Sequence, residues 1–174
     1  MDDAVGLARS AVLARFRWID GHSDMWRLAE EPDAFATVTG GLAALAAPLQ
    51  PTGIIGIETR GVLFGAPVAL ALGVGFHTVR KTDGLFAGSR DTQAASADYR
   101  GKTHTLRTRA EFGVGDRLVL VDDWIETGSQ AAAVRALVER AGAAWAGIVT
   151  IVDQSTVAPL SLVAAAELPP WLGE

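Results

Sequence analysis

Residues 118–123, Leu-Val-Leu-Val-Asp-Asp, constrain the fold of this chain more than any other stretch. Four apolar residues follow one another without alternation and end in two acids. A strand that is apolar at every position must be covered on both faces, which is the habit of a parallel sheet between helical layers. The rest of the sequence supplies such layers. Val5, Ala8, Val12 and Phe16 recur at helical spacing and predict a helix over 3–16. Pro32-Asp33 opens a second helix to about residue 47, with Phe35, Val38, Leu42 and Leu45 inward. Further helices fall over 61–72 and 129–141, the latter stopped by Gly142. Short strands fall at 54–57, 75–80 and 117–122, with 147–152 as the last core strand. The expected fold class is α/β: a mostly parallel twisted sheet flanked by helices on both sides.

The chain has 174 residues, no cysteine and a formal net charge of −5. That length predicts one domain spanning 1–174. The absence of cysteine excludes a disulfide framework, a thiol nucleophile and a thiolate metal site. The acidic balance gives no footprint for nucleic acid or an acidic membrane. Two stretches without formal charge, 34–57 and 61–79, are broken by Gly40-Gly41, Pro48, Pro51, Gly65, Pro67 and Gly73. They read as buried helix–turn–strand units, not membrane spans. The acidic N-terminus, Met-Asp-Asp-Ala-Val, is unlike a secretion signal, and the expected location is the cytoplasm. Residues 82–98 are polar and long for a loop inside a compact domain, so a lid or a disordered segment is expected there, with 103–109 as the strand leaving it.

In an open parallel sheet the ligand site lies at the carboxyl ends of the strands. Strand 117–122 is expected to end at Asp122-Asp123, with a helix starting near Ser129. Thr127, Gly128 and Ser129 then turn backbone N–H groups into an anion nest, a place for a phosphate. Two acids in direct contact with a phosphate would repel it. They suit ribose hydroxyls or a hydrated Mg²⁺. Acids for the sugar and a nest for its phosphate describe a ribose 5-phosphate pocket. Arg60 opens the helix after strand 54–57, where its fork can grip a diphosphate; the competing role is a surface ion pair with Glu58. Lys81 ends the next strand as a second, point-like cation.

These motifs resemble the type I phosphoribosyltransferases. Leu118-Val119-Leu120-Val121-Asp122-Asp123-Trp124-Ile125-Glu126-Thr127-Gly128 is similar to the family signature. Residues 55–69 and 73–81 look like the pyrophosphate-binding strands of adenine phosphoribosyltransferases. The resemblance implies a Mg²⁺-dependent enzyme that transfers a phosphoribosyl group from phosphoribosyl diphosphate to a nitrogenous base, adenine or another purine, with release of pyrophosphate. It implies that Arg60, Gly61, Lys81, Asp122, Asp123, Thr127, Gly128, Ser129 and Gln130 bind substrate. Asp122 and Asp123 would serve the metal, directly or through water and ribose hydroxyls. It also implies a small N-terminal hood at about 1–32, a lid at about 82–100 with Asp98 as a catalytic acid and Tyr99 against the substrate, and a homodimer.

The sequence departs from the adenine enzymes near the base. Their phosphate loop reads Thr-Gly-Gly-Thr, where this chain has Thr127-Gly128-Ser129-Gln130. Glu126 stands where they have a small residue, and where enzymes for oxopurines carry an acid thought to handle the ring-nitrogen proton; it is the expected general acid/base. Asp98 replaces the usual Glu, and His22-Ser23-Asp24 replaces the hood's Phe-Arg-Asp. Trp124 stands where the family has an aliphatic residue, either walling a base or packing under the sheet, while Trp18, His22 and Trp26 can frame a base. Pro169-Pro170-Trp171 reads as a packed tail. Two alternatives stay open: a non-catalytic module that senses the diphosphate, and a transferase with an unusual acceptor. No basic patch or separate DNA-binding segment supports a regulator.

Overall fold

The computed structural model describes residues 2–81, 87–88, 91–94, 105–109 and 111–172. Helix α1 (Asp2–Arg15) leads into a two-stranded hairpin, β1 (Trp18–Ile19) and β2 (His22–Ser23). Its turn is Asp20-Gly21, both at positive φ, 49° and 76°. That pair is the preferred one for a two-residue hairpin turn, because it matches the twist of the flanking strands. Residues 17–32 thus hold a hairpin and the short helix α2 (Arg27–Glu30).

Helix α3 (Pro32–Ala46) follows, then β3 (Gly53–Ile57), α4 (Arg60–Leu72), β4 (Gly75–Lys81), β5 (Asp91–Ala94) and β6 (Thr105–Thr108). The chain finishes with β7 (Arg117–Ile125), α5 (Ser129–Arg140), β8 (Ala144–Asp153) and β9 (Leu160–Ala164). Among the described residues one sheet holds seven strands in the order β5-β6-β4-β3-β7-β8-β9. The pairs β4–β3–β7–β8–β9 are parallel, while β6 is antiparallel to β4 and to β5. The α/β reading holds, and 147–152 is not the final strand, since β9 adds one beyond it. Strand β5 lies inside the segment expected to be a continuous lid loop.

The two faces of the sheet bury separate cores. Ile54, Val119 and Val121 pack with Phe64 and Val68 of α4, Val38 and Leu42 of α3, and Ala8 and Val12 of α1. Ile55, Ile57, Leu118 and Leu120 pack with Val134, Leu137 and Val138 of α5. Successive residues of β3 and β7 therefore serve opposite cores, which is why both runs are apolar without alternation. All five residues of β3 are buried. Helices α4 and α5 lie on opposite faces and start from adjacent strands, so a crevice opens between the carboxyl ends of β3 and β7. Among the described residues, no helix is long and apolar enough to cross a membrane.

Close approach sets the walls of that crevice. A methyl group on Gly56 would sit 2.3 Å from the Gly61 carbonyl oxygen, and one on Gly61 would sit 3.0 Å from Asp122 Oδ1. The first turn of α4 thus rests directly on β3 and against β7.

Candidate active site

A cavity of about 860 Å³ occupies the crevice. Its walls include Arg60, Lys81, Asp122, Asp123, Glu126 and the run Thr127-Gly128-Ser129-Gln130. Of the residues singled out from sequence, Gly61 lies behind the wall, against Asp122. Asp98 and Tyr99 fall outside the described residues.

Strand β7 does not stop at the acids. It runs on to Ile125, with Trp124 opposite Val152 and Ile125 opposite Asp153 of β8. Asp122 and Asp123 are therefore strand residues on opposite faces, held by the sheet and not by a loop. Asp123 is 4% exposed. Arg60 Nε lies 3.0 Å from its Oδ2, yet among the described residues that oxygen has no hydrogen-bond partner. The expected alternative for Arg60, a pair with Glu58, is not what forms. Glu58 is taken by Arg80, at 3.2 Å, and accepts the Lys81 backbone N–H at 3.2 Å. Arg60 is left aimed at the acids, with a long 3.4 Å hydrogen bond from its Nη1 to the Ser23 carbonyl of the hairpin. The Glu58–Thr59 peptide is cis.

Asp122 accepts the Asp123 backbone N–H at 2.9 Å. Burial pushes its carboxyl well above the usual range, and the neighbouring Asp123 charge adds to that. The backbone N–H of Asp123 and the Lys81 ammonium pull the other way. A folded-state pKa above the unfolded one means that protonation favours the fold. That contribution is complete below the ordinary aspartate value of 3.8 and is lost as pH rises through the folded value. Asp122→Asn in the ligand-free protein is expected to raise the melting temperature at pH 7 by several degrees and to flatten its decline from acid to neutral pH. Thermal melts across that range check this; a lower melting temperature for the variant at pH 7 would contradict it.

The phosphate loop begins α5. Gly128 precedes the helix at φ 75°, a conformation suited to glycine, and its α-carbon faces Val157, whose Cγ1 would lie 2.6 Å from an added methyl. Thr127 Oγ1 accepts the Ser129 N–H at 3.3 Å and bonds the Ser129 hydroxyl at 3.2 Å. The loop is shaped in advance, and the first N–H groups of α5 open toward the cavity, the ordinary anion site of a helix N-terminus.

The opposite wall is aromatic. Trp18 and Trp124 line the cavity with ring centroids 6.1 Å apart, and Phe16 packs on both at 5.1 and 6.2 Å. Trp124 therefore both packs and walls. Its indole N–H donates to Gln154 Oε1 at 2.9 Å. Trp171 from the tail rests against Trp18 at 6.5 Å, and Trp18 donates to the Pro169 carbonyl at 2.7 Å. Glu58 and Gln154 were not anticipated as wall residues. Glu58 had a usable signal in its place at the end of a buried strand; Gln154 had none, because β8 was expected to end before it.

A family model described as the phosphoribosyl transferase domain matches residues 34–160. The chain is similar to an adenine phosphoribosyltransferase of Streptomyces coelicolor, 38% identical over 130 residues, covering 75% of this chain and 70% of that protein. It is 33% identical over 156 residues to an adenine phosphoribosyltransferase of Streptomyces clavuligerus, covering 85% and 86%. Among solved structures, an adenine phosphoribosyltransferase from Thermoanaerobacter pseudethanolicus aligns with a TM-score of 0.79 at 27% identity, over 90% of this chain and 99% of that one.

Proposed function

Because this chain belongs to the phosphoribosyl transferase family, we propose that it transfers a phosphoribosyl group from phosphoribosyl diphosphate to a ring nitrogen of a purine and releases pyrophosphate. The observation that carries this reading is the meeting, in one cavity, of two strand-end cations, a buried acid pair and a helix N-terminal phosphate loop.

The roles follow from where charge sits. Arg60 and Lys81 hold the diphosphate, the arginine in bidentate fashion and the lysine as a point charge. The N–H groups and hydroxyls of Thr127, Gly128, Ser129 and Gln130 take the 5-phosphate at the start of α5. Asp123, and Asp122 when ionised, accept the two ribose hydroxyls. In the reaction the bond from ribose C1 to the diphosphate oxygen breaks and a bond from C1 to the purine nitrogen forms. The transition state carries oxocarbenium character, as in glycoside cleavage. Glu126, at the mouth of the phosphate loop, takes up the proton that the ring nitrogen loses. Asp98 and Tyr99, from the 82–100 segment, complete the cover that keeps water from competing for C1.

The acids also bear on a divalent cation. Among the described residues, no group of three His, Asp or Glu could hold a metal ion alone. Asp123 Oδ2, ion-paired with Arg60 but without a hydrogen bond among the described residues, and the neighbouring Asp122 offer hard oxygen ligands of the kind Mg²⁺ accepts alongside substrate oxygens. A Mg²⁺ ion held there with the diphosphate would neutralise charge on the leaving group. A homodimer, in the cytoplasm and engaging neither nucleic acid nor membrane, belongs to the same proposal; light scattering of the purified chain tests its size.

The test of function is an assay with Mg²⁺, phosphoribosyl diphosphate and a panel of bases, following pyrophosphate release and base consumption together. Turnover of at least one purine is expected. Tight diphosphate binding without turnover of any base would remove the enzyme reading and leave a binding module.

A further inference from the structure

We infer that Trp171 is a positioning residue for the base: it seats the β1–β2 hairpin against the cavity from outside, so that its loss weakens use of the base and spares binding of the diphosphate. This rests on the transferase reading. The diphosphate, ribose and phosphate are assigned to Arg60, Lys81, Asp122–Asp123 and residues 127–130. Apart from Glu58, Thr59 and Ala131, which flank those groups, the cavity wall that remains is the hairpin run 18–24 with Trp26, together with Trp124, Ile125, Glu126 and Gln154 at the ends of β7 and β8. A base bound there lies against the hairpin.

The hairpin does not hold itself in place. Each of its strands has two residues, and an isolated two-stranded hairpin is marginal in water. Its anchor is Trp18, whose ring packs on Phe16 at 5.1 Å, on Trp124 at 6.1 Å and on Trp171 at 6.5 Å. The Trp18 indole N–H donates to the Pro169 carbonyl at 2.7 Å. Trp171 also covers the turn, since a methyl group on Gly21 would lie 3.8 Å from its Cε2, at ordinary contact distance. One short segment, 169–171, therefore supports both a strand and the turn.

That segment is itself fixed. Leu168 is buried in the core shared by α1 and α3. Glu167 pairs with Arg9 of α1 and accepts the Ala164 N–H at 2.8 Å. Leu168 is extended, at φ −80° and ψ 150°, as a residue before proline must be. Pro169 and Pro170 then restrict the backbone between the buried leucine and the ring. Trp171 stands outside the cavity wall and is 46% exposed, so its contacts serve the hairpin and not a ligand. Without the ring the hairpin is seated in fewer molecules, and apparent affinity for the base falls by that fraction. The loss of one aromatic contact changes such a fraction about fivefold. The diphosphate is spared because Arg60 is carried by α4 and faces Asp123 at 3.0 Å, while its bond to the Ser23 carbonyl of the hairpin is a long 3.4 Å.

The test measures KM and kcat for a purine that turns over, and the dissociation constant of phosphoribosyl diphosphate by calorimetry with Mg²⁺ present. Trp171→Ala should raise the base KM about fivefold, with kcat and the diphosphate constant within about twofold of the unaltered protein. Trp171→Phe returns a ring to the turn and should restore KM to within about twofold. Pro170→Gly keeps the ring but loosens its support, and its KM should fall between those of the unaltered protein and Trp171→Ala. Leu172→Ala, at an 87% exposed neighbour, should change nothing. Residues 170–172 are exposed, so the variants should fold, and thermal melts verify it. An unchanged base KM in Trp171→Ala, a diphosphate constant that rises along with it, or a phenylalanine variant as impaired as the alanine one would overturn the inference and leave the transferase reading intact. Turnover of no base alongside measurable diphosphate binding would overturn the transferase reading and this inference with it.

Discussion

Asp123→Asn is expected to weaken binding of phosphoribosyl diphosphate by about 100-fold or more while leaving the fold intact. The carboxylate is 4% exposed, faces Arg60 at 3.0 Å and keeps one oxygen without a hydrogen bond among the described residues. A buried acceptor left unpaired is costly, and it persists where a ligand supplies the missing donor. Two ribose hydroxyls bonding to a carboxylate make charge-assisted hydrogen bonds, worth about 1.5–3 kcal/mol each. An amide in the same place offers one neutral acceptor and an N–H that meets Arg60 and the hydroxyls as another donor. A loss of about 3 kcal/mol corresponds to roughly two orders of magnitude in the dissociation constant. Folding should not suffer, because removing one of two adjacent negative charges relieves the repulsion that helps to raise Asp122. Calorimetric titration with Mg²⁺ present measures the effect. Trp171→Ala is the companion: that ring touches the hairpin and Trp18 but is not part of the cavity wall, so affinity should stay within about twofold. Equal affinities for the two variants would mean that the sugar is bound elsewhere.

The same residues show what could and could not be read from the chain. Strands β3 and β7 were legible because each alternates between two cores, so every position is apolar, and the acids and Thr-Gly turn gave the crevice its chemistry. Strand β7 runs past its expected end for a physical reason. Acids are rarely buried in strands and read as stops, but β8 runs alongside as far as Asp153 and carries the ladder past them to Ile125. Strand β9 carries little apolar pattern, because Leu160-Ser-Leu-Val-Ala lies at the sheet edge and Leu160 is 41% exposed. The hairpin at 18–23 did have a local signal in Asp20-Gly21, yet its two-residue strands are too short to show alternation. Partnerships were the least legible layer. Whether Arg60 meets Glu58 or Asp123 depends on how α4 lies across β3 and β7, which no local pattern states.

That placement of α4 is exposed to a single methyl group, and Gly56→Ala should cost about 3 kcal/mol of stability and nearly all activity. The added carbon would lie 2.3 Å from the Gly61 carbonyl oxygen, 2.8 Å from its carbon and 3.0 Å from Phe76 Cζ. The first two neighbours are backbone, and neither can turn aside. Strand β3 sits between β4 and β7 and cannot shift without disturbing both ladders. The first turn of α4 must therefore lift, and Arg60 lifts with it. Overpacking a close-packed core costs about 1–3 kcal/mol, and a rigid backbone contact lies at the upper end. For a domain of this size that is a fall of about 10 °C in melting temperature. Gly40→Ala provides the contrast. Gly40 is an exposed residue of α3 with nothing within 4 Å of its missing methyl, so the change should stabilise by about 0.5–1 kcal/mol. Thermal melts and diphosphate titrations of the two variants decide the matter together. A Gly56→Ala protein that melts normally and still binds the diphosphate would show that α4 does not rest on β3, and the arginine would then owe its position to something other than the glycine contact.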